Sequence, residues 1–376
     1  MKKGDALYLQ IYQQLLEEVQ SGVYENDRLP TEKEVTEKYF VSRITARKAL
    51  DALADAGIVV RISGKGTFVR KKNPILQKVA RPAKSMPVIA LVMGGYGASF
   101  GLDILNSVLH RAQEKGMQVI VKDTRNDQSI EFKMLEDLAR SGVDGIIIQP
   151  AHGEVYSQWL VNAVFDRFPI VMIDRHLQGI EAPFVGVDNV LLAEIAVKQL
   201  LRNGHRHIAL ITLEDEKTST LKARMDGYRR AMESEGLPVN TELWLTSVAK
   251  NFKREERNTP EAHAAYKKQI AKHMAKHSEI TAIFGTEYMV SKLAINALTD
   301  MGWSIPRDCS IVGFDCDGSS LSSDSVTHIA QPQQQMGREA VDMLDAILKG
   351  ETLPSPHCLI EGKWVEGQTL TIPRTL

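Results

Sequence analysis

Arg43 and Arg47 stand four residues apart, with Thr45 between them and Lys48 just beyond. On a helix that spacing puts both guanidinium groups on one face. A guanidinium can hold phosphate oxygens or grip guanine O6 and N7 with two hydrogen bonds, so the pair suits a helix laid in a DNA groove. A second set of reactive side chains is scattered along the rest of the chain: Asp174-Arg175, Arg224, Thr286-Glu287 and Asp315, with Tyr96 and Phe100 upstream. Carboxylates accept from neighbouring hydroxyls, an arginine donates to ring and hydroxyl oxygens, and an aromatic face covers C–H groups. Brought together, these would suit a polyhydroxyl ligand. Each has a plainer reading alone. Two arginines on a helix are ordinarily a solvated face, and an aspartate after a strand is ordinarily a helix cap. The surrounding elements decide.

Around the arginines the elements come in quick succession. Leu7, Ile11, Leu15, Leu16 and Val19 recur at helical spacing, and Ser21-Gly22 ends that helix. Thr31 is an N-cap candidate with Glu34 three residues on, as a capping box requires. Phe40-Val41 makes a turn. Ser42 then caps a third helix running to about Ala56, where Gly57 stops it. Ala46, Ala49, Leu50 and Leu53 form its buried side. Ile58-Val59-Val60 and Thr67-Phe68-Val69 flank Gly64-Lys65-Gly66, a hairpin with a basic tip. This order is that of a winged helix-turn-helix, a small α+β fold that lays one helix in the major groove and a hairpin beside it. Residues 70–87 follow, with three prolines and six basic residues in eighteen positions; they read as an extended connector.

From Val88 onward apolar strands alternate with helical patterns. Strands are expected at Val88–Val92, Gln118–Lys122, Gly145–Ile148, Ile170–Ile173, His207–Thr212, Thr281–Phe284 and Ser310–Phe314. Helices are expected at Leu102–Lys115, Glu131–Ser141, Leu191–Asn203, Arg224–Glu235 and Val290–Met301. Repeated βα units with continuously apolar strands mean parallel sheets covered on both faces. Two sets, divided near Gly186–Asn189, mean two lobes. Ligands in such folds sit outside the carboxyl ends of the strands. Tyr96, Phe100, Asp123, Asn126, Asp174, Arg175, Thr286, Glu287 and Asp315 all follow strands, and Arg224 is expected to open a helix after one. Residues 248–266 are polar and charged and read as a surface excursion.

Composition narrows the classes. At 376 residues with 43% hydrophobic and 25% charged content, the chain suits two or three globular domains. The net charge of -1 hides an asymmetry: residues 1–86 carry 16 Lys+Arg against 10 Asp+Glu, +6, leaving -7 for the remainder. A basic head on an acidic body suggests that the head meets an anionic polymer. Three cysteines, with no close pairing, argue against a disulfide framework or a zinc site and fit a reducing cytoplasm. The N-terminus lacks the pattern of a signal peptide, and no run approaches membrane-spanning length. Gly94-Gly95-Tyr96-Gly97 fits no dinucleotide fingerprint, and no metal cluster, cofactor motif or nucleophile–base set stands out, so no enzyme activity and no cofactor is expected.

Residues 7–69 resemble the DNA-binding domain of GntR-family regulators, whose recognition-helix pattern Ser-Arg-x-Thr-x-Arg-x-Ala-Leu runs unbroken from Ser42 to Leu50. The resemblance implies DNA contacts at Lys33, Ser42, Arg43, Thr45, Arg47, Lys65 and Gly66, with Arg28 as a further phosphate contact. Lys33 stands where many members carry arginine. The body is similar to LacI-family effector domains. Phe184–Asn189, Asn203–Ile208, Arg224-x-x-Gly-Tyr228, Ile305–Asp315 and Gln331-Pro with Met336–Ala340 recur there in this order. This implies a two-lobed, periplasmic-binding-protein-like α/β body with the effector between lobes and a homodimer interface along the body. The effector contacts carry over best to Arg224 and Asp315, then to Asp174 and Phe100. Members usually show Asn-Asp where this chain has Thr286-Glu287. In that family His205 and His207 are structural rather than metal ligands. The expected organisation is a winged head at 1–70, a linker at 71–87 and an effector and dimerisation body at 88–376. A GntR-type head on a LacI-type body resembles the repressors of arabinose utilisation. That implies operator DNA and a sugar, L-arabinose favoured, as partners, and a cytoplasmic protein with no membrane association.

Overall fold

The computed structural model describes residues 3–24, 27–62, 66–70, 86–151, 158–177, 179–213, 218–246, 248–253, 256–317 and 326–374. The head begins with α1 (Lys3–Ser21), followed by β1 (Arg28–Leu29), α2 (Glu32–Tyr39), α3 (Arg43–Asp55), β2 (Val59–Ile62) and β3 (Gly66–Val69). Both expected caps form. Thr31 Oγ1 accepts from the Glu34 amide at 3.3 Å, and the Glu34 carboxylate accepts from the Thr31 amide at 2.6 Å. Ser42 Oγ accepts from the Thr45 amide at 3.2 Å. Such caps are each worth about 1 kcal/mol. Ile11 and Leu15 of α1 pack with Val35 of α2 and Ala46, Ala49, Leu50 and Leu53 of α3 in one buried cluster. The hairpin gains a strand that the sequence reading did not include: Arg28 and Leu29 pair antiparallel with Phe68 and Thr67, so the wing is a three-stranded sheet in the order β1-β3-β2.

The body opens with β4 (Val88–Met93), α4 (Leu102–Glu114), β5 (Gln118–Asp123), α5 (Gln128–Arg140), β6 (Gly145–Ile148), α6 (Gln158–Phe165), β7 (Ile170–Ile173) and β8 (Phe184–Gly186). It continues with α7 (Asn189–Arg202), β9 (Ile208–Ile211), α8 (Ser219–Ser234), β10 (Trp244–Leu245), α9 (Pro260–Lys276), β11 (Ala282–Gly285), α10 (Tyr288–Asp300), β12 (Ser310–Phe314) and β13 (Thr327–Ala330). Last come α11 (Gln333–Lys349), β14 (His357–Leu359) and β15 (Lys363–Val365). Two six-stranded sheets result, in the orders β14-β8-β7-β6-β4-β5 and β10-β9-β11-β12-β13-β15. All the pairings are parallel except β13 with β15. The central strands β6, β7, β9, β11 and β12 are buried at every position, which is why they read as continuous apolar runs.

Three expectations need correcting. The chain does not divide once near Gly186. α11 packs on α4 and on the first sheet, β14 joins that sheet beside β8, and β15 returns to the second. Among the described residues the chain therefore passes between lobes at three adjacent places: after β8, between β13 and α11, and between β14 and β15. Second, α8 starts at Ser219, so Arg224 lies in its second turn rather than opening it. Third, the stretch 248–266 is no surface excursion: Val248, Ala249, Ala262 and Tyr266 are buried in the second lobe's core, and Pro260 begins α9. Two motif glycines are explained by close approach. A methyl group at Gly227 would sit 2.3 Å from the Val190 carbonyl oxygen on α7, and one at Gly94 would overlap Asn126 Oδ1 at 2.0 Å.

The head touches the first lobe directly. Val60 and Ile62 of the wing share a buried apolar cluster with Trp159, Leu160 and Ile170, and Arg70 Nη2 donates to Asp166 Oδ1 at 2.9 Å. Among the described residues no helix is long and apolar enough to cross a membrane.

Candidate DNA interface and effector cleft

Glu32, the first residue of α2, organises the basic face of the head. Arg43 Nε donates to it at 3.3 Å, Arg47 at 3.0 and 3.2 Å, and Arg61 of the wing at 2.7 Å. The hydrogen bonds from Arg47, then from Arg61 and Arg43, outweigh desolvation and hold the Glu32 carboxyl down at about 2. The sequence reading missed Glu32, because nothing local marks a helix-opening glutamate as the partner of arginines on two later elements. Of the expected DNA contacts, Ser42 and Thr45 lie at the start of α3, their hydroxyls 2.8 Å apart, beside Arg43 and Arg47. Lys33 is exposed on α2, 3.8 Å from Glu37. The Arg28 guanidinium lies against the face of Gly66, where a methyl group would meet its Nε at 3.3 Å. Lys65 lies outside the described residues.

Between the lobes is a cavity of about 800 Å³. Phe100, Asp174, Arg175, Arg224, Glu287 and Asp315 all line it, with Asp123 and Asn126. Each lobe contributes the same device. Asp174 follows β7 and Asp315 follows β12, both in the left-handed conformation, with φ of 63° and 58°. That region is uncommon for residues with a side chain, and such residues cluster at functional sites. Each aspartate is held by a glutamine from the end of the neighbouring strand. Gln149 Nε2 donates to Asp174 Oδ2 at 2.7 Å, and Gln331 Nε2 donates to Asp315 Oδ2 at 2.7 Å. The Gln331 amide adds a bond to Asp315 Oδ1 at 3.1 Å. Neither glutamine was singled out as a contact from sequence, although both satisfy the strand-end rule that found the aspartates.

The remaining groups differ between lobes. Arg224 is 5% exposed. Its Nε donates to Asn189 Oδ1 at 2.8 Å, its Nη1 to the Thr286 carbonyl at 2.5 Å, and its carbon centre stands 3.8 Å over the Phe314 ring. Burial lowers the Arg224 pKa, opposed by the negative field of Asp315, Asp174 and Glu287. Burial pushes the Asp315 carboxyl up to about 6, against the pull of Arg224 and of the Gln331 hydrogen bonds. In the first lobe Arg175 Nη1 donates to Asn126 Oδ1 at 2.8 Å and to the Pro150 carbonyl at 3.2 Å. Arg125 and Asn126 stand on an exposed turn, again at positive φ.

Two expected contacts do not line the cavity. The Tyr96 hydroxyl donates to the Leu91 and Lys122 carbonyls, at 3.2 and 2.9 Å, and its ring packs on the core. Thr286 is fully buried; its hydroxyl donates to the Ile211 carbonyl at 3.3 Å, and it serves the cleft through its own carbonyl, which Arg224 holds. Conversely, Arg257, Asn258, His263 and Tyr266 do line it. His205 is structural: its ring nitrogens face Thr281 Oγ1, Ser310 Oγ and the Thr371 carbonyl at 2.8–3.1 Å.

A winged helix-turn-helix joined to a two-lobed cleft defines a DNA-binding protein built to answer a small ligand. Residues 7–69 match the model of the bacterial regulatory proteins of the gntR family, and residues 197–370 match that of a periplasmic binding protein-like domain. The chain is 28% identical over 354 residues to an arabinose metabolism transcriptional repressor of Geobacillus stearothermophilus, covering 90% of each chain. It is 30% identical over 271 residues to the HTH-type transcriptional regulator DegA of Bacillus subtilis, covering 71% of this chain and 76% of that one. The body superposes on the transcription regulator CcpA of Lactococcus lactis with a TM-score of 0.66 at 20% identity, over 76% of this chain and 99% of the other. The chain belongs to the helix-turn-helix transcriptional regulators with a LacI-type, periplasmic-binding-protein-like body, and its head is of the GntR type. It is a sequence-specific DNA-binding regulator, not an enzyme.

Proposed function

We propose that this regulator is a repressor of carbohydrate-utilisation genes, released from its operator when a sugar enters the cleft, with L-arabinose as the favoured effector. The observation that carries the reading is the pair of matched Asp–Gln devices, one per lobe, facing one cavity beside a buried arginine. A sugar held by both devices favours the closed arrangement of the lobes, because only there can both bind it. L-arabinose is favoured by the likeness, over nine-tenths of the chain, to repressors named for arabinose metabolism. Two copies associate through the body, so that two heads meet two half-sites, and closure changes the spacing of the heads. Arg43, Thr45, Arg47 and Gly66 face the bases and sugar-phosphate backbone, with Lys33 and Arg28 on phosphate. Sugar and DNA then affect each other's affinity reciprocally, by about 1–3 kcal/mol.

The test is calorimetry against a sugar panel headed by L-arabinose. Fluorescence anisotropy then follows on a duplex selected by the protein from a random library. Saturable L-arabinose binding that lowers duplex affinity is the expected result. Binding of L-arabinose with unchanged duplex affinity would sink the release mechanism, and silence toward it would remove L-arabinose. Sedimentation checks the dimer.

A further inference from the structure

We propose that Ile44, the second residue of α3, reads the 5-methyl group of a thymine in the operator and so fixes one base of its sequence. This rests on the reading that α3 enters the major groove, and deepens it by assigning one base to one side chain.

The first observation is exposure. Ile44 is 73% exposed, whereas Ala46, Ala49, Leu50 and Leu53 of the same helix are buried in the head's core. A single exposed apolar side chain is common and by itself needs no explanation. Its place decides. Residues three and four apart share a helix face, so Ile44 stands with Arg47 and Lys48, both exposed. In a recognition helix the N-terminal residues are the ones that reach base edges. Ser42 caps α3 and Arg43 opens it, which puts Ile44 among them. Arg43 and Arg47 both bond to Glu32, so the charged neighbours of Ile44 are tethered to α2 while the isoleucine offers an apolar surface on the same basic side.

The second observation is chemical. An isoleucine side chain has no donor and no acceptor. In the major groove guanine presents N7 and O6, adenine N7 and an amino group, and cytosine an amino group; thymine alone adds a methyl group. Isoleucine set against a polar edge would strip its water and return no hydrogen bond. Set against a thymine methyl, it buries apolar surface on both sides of the contact. One side chain thus favours thymine and penalises the other bases. In the pattern Ser-Arg-x-Thr-x-Arg, Ile44 fills the first open position, so the base it reads belongs to this chain rather than to the pattern.

The experiment is fluorescence anisotropy of the full chain, without effector, on the duplex it selects from a random library. Each thymine is replaced in turn by deoxyuridine, which lacks only the methyl group and keeps the base pair. At one position, or at one in each half-site, the affinity of the unaltered protein should fall about three- to five-fold, the worth of burying one methyl group. Ile44→Ala should weaken binding to the thymine duplex by a similar factor and lose nothing further on deoxyuridine at that position. Ile44→Val should keep part of the discrimination. The side chain is exposed, so both variants should melt with the unaltered protein. A deoxyuridine penalty that persists in Ile44→Ala overturns the proposal, because duplex shape or another residue then causes it. A duplex indifferent to every deoxyuridine overturns it too. Arg47→Ala separates this from the wider reading. If that change weakens binding while no thymine methyl matters, α3 enters the groove and Ile44 reads no base. If Arg47→Ala and Ile44→Ala both leave affinity unchanged, α3 does not enter the groove and both ideas fail. Failure to select any duplex defeats both as well.

Discussion

The two lobes present the same aspartate–glutamine device to the cleft but support it differently. In the second lobe the polar groups are sunk into the core: Arg224 lies over Phe314 and is tied to Asn189 and Thr286, and Asp315 is 7% exposed. In the first, Asp174 is buried and Arg175 is tied to Asn126 and the Pro150 carbonyl, but Arg125 and Asn126 stand on a turn that is partly open to solvent. The second lobe thus offers a rigid, preorganised half-site, where little freedom is lost on binding. The first offers, at Arg125 and Asn126, groups with fewer neighbours to hold them.

Breaking the rigid half should cost most. Arg224→Ala leaves the Thr286 carbonyl and Asn189 without their donor and Asp315 without its nearest counter-charge. Hydrogen bonds to a charged group are worth about 1.5–3 kcal/mol each, and a guanidinium can give a ligand more than one, so effector affinity measured by calorimetry should fall by on the order of 100-fold or more. DNA binding without effector should be unchanged, and retention of normal sugar affinity would end the contrast. Asp315→Asn comes next, at about 1.5–3 kcal/mol of effector binding for a lost charged hydrogen bond; asparagine tolerates the left-handed backbone, so the fold should survive. The same carboxyl sets the pH response. Its folded pKa, about 6, lies above its ordinary value of 3.8. Its contribution to stability is therefore fully present below 3.8 and lost as pH rises through 6. Sugar binding, which needs the ionised form as acceptor, runs the other way: affinity should fall as pH drops below about 6, and Asp315→Asn should flatten that profile. In the head, Arg47→Ala should cost about 1–3 kcal/mol of specific DNA binding by anisotropy and leave calorimetry with sugar untouched. Asn126→Ala, on the yielding side of the cleft, should be mildest, about 1 kcal/mol. A larger loss than for Asp315→Asn would show that the first lobe is the rigid one.

The head was legible almost to the residue, because its signals are local. Thr31, Glu34, Ser42 and Gly57 cap or stop helices through their own backbone neighbours. The cleft was legible where a strand-end rule applies, at Asp174, Asp315, Asn126 and Glu287. It failed where direction matters. Tyr96 follows a strand as Asp174 does, yet turns inward to carbonyls of β4 and β5. Thr286 follows one too and is wholly buried. The α9 segment was misread because its charged residues mask Val248, Ala249, Ala262 and Tyr266, whose partners lie in distant strands. The return of α11 to the first lobe carried no local mark, since its apolar face would suit either lobe.

The three passages between lobes lie side by side. The Ile360 amide donates to the Gly186 carbonyl at 2.8 Å, linking the first and third. A methyl at Gly362 would come within 3.3 Å of the Ala330 carbonyl, where the second begins. One connection would leave the lobes free to swing and twist in any direction. Three held side by side restrict that freedom, so fewer relative motions of the lobes remain open. Gln331 lies in the second passage, between β13 and α11, and donates to Asp315. On the proposed reading, occupancy of the cleft would then be converted into a defined rearrangement rather than a diffuse loosening, as a head that must meet a fixed DNA period requires.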